Sequence, residues 1–171
     1  MTKKDLVTKV IFNTLKMWGC SWLAIAVTVL PWNLLRTMVR TVDDTKDLSN
    51  FWYFIVAGLV ACVFLFFLAQ REAYKEGHIP QTKSFLILGA ILPAALYFLI
   101  TIVTFGNVYV CCLSTLMAEV LAKGTEYIKM MHLMLSALMF YPCFSISLYL
   151  GAIFGRKKRA EDKIKLTEEA Q

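Results

Sequence analysis

Charged residues are scarce in this chain, and long stretches contain none. Aspartate, glutamate, lysine and arginine make up only 18% of its 171 residues, whereas 58% are hydrophobic. The mean hydropathy is +0.61. So little charge and so much apolar surface exclude a water-soluble globular domain, and they predict an integral membrane protein.

Recognisable catalytic and metal-binding motifs are also absent from the sequence. It contains no G-x-S-x-G, no H-E-x-x-H and no glycine-rich phosphate-binding loop. Its five cysteines show no C-x-x-C spacing and lie mostly within apolar stretches, where a thiol behaves as a small hydrophobe. We therefore expect no disulfide framework, no zinc site, no cofactor and no enzymatic activity.

Four apolar segments have the length needed to cross a bilayer. A hydrocarbon core of about 30 Å requires roughly 20 residues of α-helix. The sequence therefore predicts an all-α protein with a single four-helix transmembrane domain and a charged tail over residues 156–171. The predicted spans are residues 17–35, 51–70, 84–105 and 128–154.

Two shorter segments complete the predicted architecture. Between Asp5 and Trp18 the polar residues share one helical face, which predicts an amphipathic helix in the headgroup region that runs into the first span as an uncleaved anchor. The apolar stretch 108–118 is too short to cross a bilayer. It is an interfacial helix, a re-entrant segment or an extension of the third helix, and a helix packed at the outer interface is favoured.

Basic residues indicate the orientation of the spans. Most of the 18 lysines and arginines lie before the first span, between the second and third, and after the fourth. The positive-inside rule therefore predicts a multi-pass cell-membrane protein with both termini in the cytoplasm. Anionic headgroups at the inner face, rather than nucleic acid, are the expected counter-charge of the basic cluster Arg156, Lys157, Lys158 and Arg159.

Small residues recur every four positions on the last span. Ser147, Gly151 and Gly155 form a stripe that allows another helix to approach closely. The stripe either joins helices of one bundle, which is favoured, or also contacts another protein. Pro142 on the same span predicts a bend, which is either fixed or a moving part.

Two groups of residues suggest chemistry, although each has a simpler interpretation. Met130, His132 and Met134 offer soft ligands for Cu(I) near Cys111 and Cys112, but methionine and cysteine are also ordinary packing residues. The second group combines acids, bases and an imidazole in the loop after the second span. A solvated helix end is the favoured interpretation of this group, which comprises Arg71, Glu72, Lys75, Glu76 and His78.

Three functions are compatible with this sequence, in a definite order. The first is an accessory or interaction subunit that associates with another membrane protein or with itself. The second is a small transporter, whose polar path would run near Pro93 and Pro142 and would be lined by Thr101, Thr104, Tyr141 and Ser145. The lack of charged residues at mid-depth argues against transport. A membrane enzyme or an outer-face copper-binding protein ranks third.

Overall fold

The computed structural model of the chain describes five segments, nearly all of them helical. They are residues 3–42, 50–76, 82–104, 107–122 and 129–169. Within these ranges there is no β-strand, and the helices are α1 (Lys3–Val42), α2 (Asn50–Glu76), α3 (Lys83–Val103), α4 (Val108–Ala122) and α5 (Lys129–Glu169). All but α4 are long and apolar enough to cross a membrane. The predicted all-α class and its four span-length helices are therefore confirmed.

The long helices alternate in direction around a shared core. At one end Lys9 of α1 lies near Glu76, and at the other Trp32 of α1 contacts Tyr53. We call the first the proximal end and the second the distal end. Helices α1 and α3 run from the proximal to the distal end, and α2 and α5 run in the opposite direction. Helices α2 and α5 are therefore parallel to each other, and they also form the most extensive helix interface.

The small-residue stripe of the last span lies in this α2–α5 interface. A Cβ atom added to Gly151 would lie 2.9 Å from the Cβ of Ala69, and one added to Gly155 would lie 3.0 Å from the backbone nitrogen of Tyr74. The Ser147 side chain lies beside the thiol of Cys62 on α2. All three residues of the stripe therefore face α2 within one chain, where small side chains let the two backbones approach closely.

The helix α4 is part of the bundle rather than peripheral to it. It packs against α5, α2 and α1. Its start is held by the Tyr109 carbonyl, which accepts hydrogen bonds from the indole nitrogens of Trp18 at 2.9 Å and Trp22 at 3.3 Å. The segment favoured as an outer interfacial helix thus contributes to the core through Cys111, Leu113, Ser114, Met117 and Ala118.

The helices extend beyond the apolar segments that identify them. The predicted amphipathic helix and first span form one continuous helix, α1, and α5 continues for 15 residues past Phe154 to Glu169. The continuation of α5 is rich in lysine, arginine and glutamate, which favour helix in water as well. Pro31, Pro93 and Pro142 lie inside α1, α3 and α5, and none of them ends its helix.

Replacing Gly151 by alanine is expected to destabilise the protein by about 1–3 kcal/mol, because the new methyl group would overlap α2. The matched control is Gly19→Ala on α1, where an added Cβ meets no atom within 4 Å. That change should be neutral or slightly stabilising. Thermal unfolding of the two variants in detergent measures the difference, and equal stabilities would contradict the close α2–α5 contact.

Candidate functional site

The polar face of α1 is turned toward the other helices. Asn13 is buried, and its amide donates a 2.8 Å hydrogen bond to the carbonyl of Gly89 on α3. The Lys16 ammonium donates to the side-chain oxygen of Asn13 at 3.1 Å. The side chains of Asn13 and Lys16 therefore have partners within the protein, and the exposed face of α1 carries the apolar side chains Val7, Ile11, Phe12 and Leu15.

Two carboxylates of α2 compensate the lysines on this face. Lys16 forms an ion pair and hydrogen bond with Glu72, and the Lys9 ammonium lies 3.6 Å from a carboxylate oxygen of Glu76. Lys9 also lies 5.7 Å from the ring centroid of Phe85 on α3, a cation–π distance. We call Lys9, Asn13, Lys16, Glu72 and Glu76 the proximal network, because they join α1 to α2 and α3 at the proximal end.

Two residues of the acid, base and imidazole group after the second span, Glu72 and Glu76, belong to the proximal network. Glu72 and Glu76 are half-buried near the end of α2, where they form ion pairs with α1. His78 lies outside the described residues. A cavity of about 20 Å³ lies among Lys9, Asn13 and Glu72, which is enough for one water molecule. The arrangement is suited to holding helices together rather than to binding a substrate.

A second group of polar side chains joins α3, α4 and α5. The Tyr141 hydroxyl lies 2.6 Å from that of Thr101 and accepts a hydrogen bond from Ser114 at 3.0 Å. The Thr101 hydroxyl contacts the Cys111 thiol at 3.0 Å and the Tyr97 carbonyl at 2.8 Å. We call Thr101, Cys111, Ser114 and Tyr141 the hydroxyl cluster. All four are buried.

The hydrogen bonds of the hydroxyl cluster fit a single donor-to-acceptor order. Each hydroxyl has a single proton to donate. The distances fit a chain in which Ser114 donates to Tyr141, Tyr141 to Thr101, and Thr101 to the Tyr97 carbonyl. Since the chain ends on a backbone acceptor, every hydroxyl proton in it has a partner. The rings of Tyr97 and Tyr141 stack at 4.8 Å beside it.

The four residues predicted to line a polar path do not form one continuous group in the structure. Thr101 and Tyr141 belong to the hydroxyl cluster. Thr104 donates instead to the Ile100 carbonyl at 2.7 Å, and Ser145 donates to the Ala90 carbonyl at 2.9 Å. Each of the four hydroxyls is thus hydrogen-bonded within the protein, which favours their use in joining and shaping helices.

The copper site at Met130, His132 and Met134 stays a prediction in the part of the chain that the structure describes. No group of three or more histidine, cysteine, aspartate or glutamate residues suited to a metal occurs there. Met134 is exposed and His132 is half-buried, while Cys111 lies in the hydroxyl cluster. The side chains of Met130 and Cys112 lie outside the described residues.

The basic cluster after the last span is divided between two roles. One guanidinium nitrogen of Arg159 donates to the carbonyls of Tyr74 and Lys75, each at 2.6 Å. These carbonyls belong to the last turn of α2, where helical partners are missing and a cation is favoured. Arg156 is half-buried, and burial lowers the pKa of its guanidinium while nearby Glu76 raises it. The exposed members of the cluster are Lys157 and Lys158.

The sequence does not reveal the partners of these polar groups. Asn13 was expected to face headgroups, and Ser114 and Ser136 were not singled out. Ser136 donates to the Ser114 carbonyl at 2.7 Å and fastens α4 to α5. A small polar residue inside an apolar segment was the available signal, but its partners lie 22 or more residues away along the chain.

We expect the ion pair between Lys16 and Glu72 to show a coupling energy of roughly 1–2 kcal/mol in a double-mutant cycle with Lys16→Gln and Glu72→Gln. Its side chains are only 21% and 33% exposed, so solvent screens them weakly. The control is the Lys157–Glu161 pair, which is 71% and 56% exposed and should give at most about 0.5 kcal/mol. Thermal unfolding in detergent measures both cycles, and equal couplings would argue against the proximal network.

Tyr141→Phe is expected to lower the free energy of unfolding by about 1–2 kcal/mol, because the buried Ser114 hydroxyl loses its acceptor and Thr101 loses one of its partners. Tyr109→Phe removes the same atom from an exposed ring and should change stability by less than about 0.5 kcal/mol. If both variants unfold at the wild-type temperature, the hydroxyl cluster does not stabilise the bundle.

Comparisons with known proteins do not place this chain in a family. No family model, curated protein or solved structure matches it. Its function has to be argued from its own residues and their geometry.

Proposed function

We propose that this chain is a non-catalytic accessory subunit of a membrane, which acts by associating with another membrane protein or with a second copy of itself. The observation that carries the proposal is the pairing of polar groups inside the bundle. In the described residues, the proximal network and the hydroxyl cluster are bonded to themselves and to backbone carbonyls. Transporters and membrane enzymes instead present polar groups to a solute or substrate.

Helix surface beyond the bundle supports an interaction role. After Arg159 contacts the end of α2, α5 continues for ten residues to Glu169. Ile164 and Leu166 on this extension are exposed among charged side chains. At the distal end, α1 likewise continues past Trp32 to Val42 and exposes Leu34, Leu35 and Met38. Both extensions offer apolar contacts to a partner outside the four-helix core.

The proposal includes an orientation in a cell membrane, with the proximal end and both chain termini in the cytoplasm. Basic residues gathered at the proximal end support it, because positive charge is retained on the cytoplasmic side. Inner-leaflet anionic headgroups would then face the exposed cations of this end, among them Arg71, Lys157 and Lys158.

A small transporter is the second candidate. It is favoured by one observation, a groove of about 380 Å³ between α3 and α5 beside Pro142. The groove has an almost entirely apolar lining, and the Ser145 hydroxyl within it is bonded to Ala90. Such a groove suits an apolar molecule or a lipid chain better than a polar solute.

Affinity purification of the tagged full-length chain from its native membranes, after crosslinking and mild detergent extraction, tests the proposal. We expect either one other membrane protein in stoichiometric amount or a dimer of the chain, because the proximal network and the hydroxyl cluster are paired within the bundle and the exposed extensions of α1 and α5 offer contacts to a partner. The control is the same purification after alkaline washing, which removes peripheral proteins. A monomer with no partner, whose melting temperature rises with one class of solute, would instead support transport.

A further inference from the structure

A surface groove lies between α2 and α5 at the proximal end. Its volume is about 620 Å³. It begins beside the last apolar turn of α2 and ends beside the charged extension of α5. The residues that line it are Phe67, Gln70, Arg71, Tyr74, Lys158 and Asp162.

The α2 wall of the groove changes from apolar to cationic within one helical turn. Phe67 is 59% exposed, and Arg71 follows four residues later, on the same helix face and about 6 Å further along the axis. Lys158 lines the groove from α5. A phospholipid presents the complementary order, an acyl chain followed by a phosphate at the boundary of the hydrocarbon layer.

The two cations that line the groove, Arg71 and Lys158, differ from the basic residues that join the helices. Lys9, Lys16 and Arg159 are bonded to other helices. Within the described residues, Arg71 and Lys158 form no ion pair and both are exposed. They are therefore available to an anion, and two cations on neighbouring helices can hold a phosphate between them.

Asp162, the one acidic residue among those that line the groove, is hydrogen-bonded to a neighbouring side chain. The Tyr74 hydroxyl donates to the Asp162 carboxylate at 2.9 Å. This hydrogen bond, together with the negative charge of Asp162, raises the pKa of Tyr74. The phenol therefore stays protonated and continues to donate to Asp162. With Arg71, Lys158 and Asp162 all ionised, the lining keeps a net positive charge.

We propose that this groove is a binding site for an anionic phospholipid, with the phosphate between Arg71 and Lys158 and an acyl chain along Phe67. The site rests on the proposed membrane location, which puts the proximal end at a bilayer surface. A lipid bound there would touch α2 and α5 just beyond the close contact at Gly155. Its phosphate would add an attraction to Arg71 on α2 and to Lys158 on α5, two like charges that line the same groove.

Titration of the purified full-length protein in detergent with phosphatidylglycerol, phosphatidylcholine or inorganic phosphate tests the site. Bound lipid is counted by native mass spectrometry. We expect retained phosphatidylglycerol, at least about tenfold weaker retention in Arg71→Gln/Lys158→Gln, and little change in Lys163→Gln/Lys165→Gln. The control pair removes the same charge from exposed positions of α5 that do not line the groove.

A charge-preserving variant, Arg71→Lys/Lys158→Arg, should bind phosphatidylglycerol within about threefold of wild type, which separates loss of the site from loss of the fold. Equal weakening in the two glutamine variants would overturn the site in favour of diffuse attraction. Equal retention of phosphatidylcholine, or full competition by inorganic phosphate at equal concentration, would overturn recognition of an anionic lipid. None of these outcomes depends on a protein partner, so the site and the association role fail separately.

Discussion

The structure depends on one constraint, which is that a polar group placed among apolar helices needs a partner from the same chain. An unpaired amide or charge in such surroundings costs several kcal/mol, whereas exposed apolar side chains are compatible with lipid. This explains why α1 turns Asn13 and Lys16 inward and Val7 and Ile11 outward. An amphipathic helix of a soluble protein buries its apolar face and exposes its polar face. Helix α1 does the opposite, because the partners of its polar side chains lie inside the bundle.

The close α2–α5 contact determines what the proximal end can do. Without side chains at Gly151 and Gly155, α5 comes close enough for Arg159 to reach the last carbonyls of α2. This interaction satisfies groups that every helix end leaves unpaired. It also leaves a groove at the point where the two helix surfaces separate, with Arg71 on one side and Lys158 on the other.

Charged and neutral polar residues lie at different depths of the bundle. Charged pairs join α1 to α2 at the proximal end, and neutral hydroxyls join α3, α4 and α5 deeper in the bundle. Neutral groups cost less to bury at depth than ions, so each type lies where its desolvation is tolerable. In the described residues these polar groups join helices and add to the hydrophobic core of the bundle.

The sequence alone determined the all-α class and the number of span-length helices, because uninterrupted apolar runs of about 20 residues have few other stable structures. It also identified Ser147, Gly151 and Gly155 as a packing stripe by their spacing. Only the tertiary structure decided that α4 enters the core, that Glu72 pairs with Lys16, and which basic residues stay exposed. Those outcomes depend on contacts between residues far apart in the chain, and the periodicity of a single helix does not specify its neighbours.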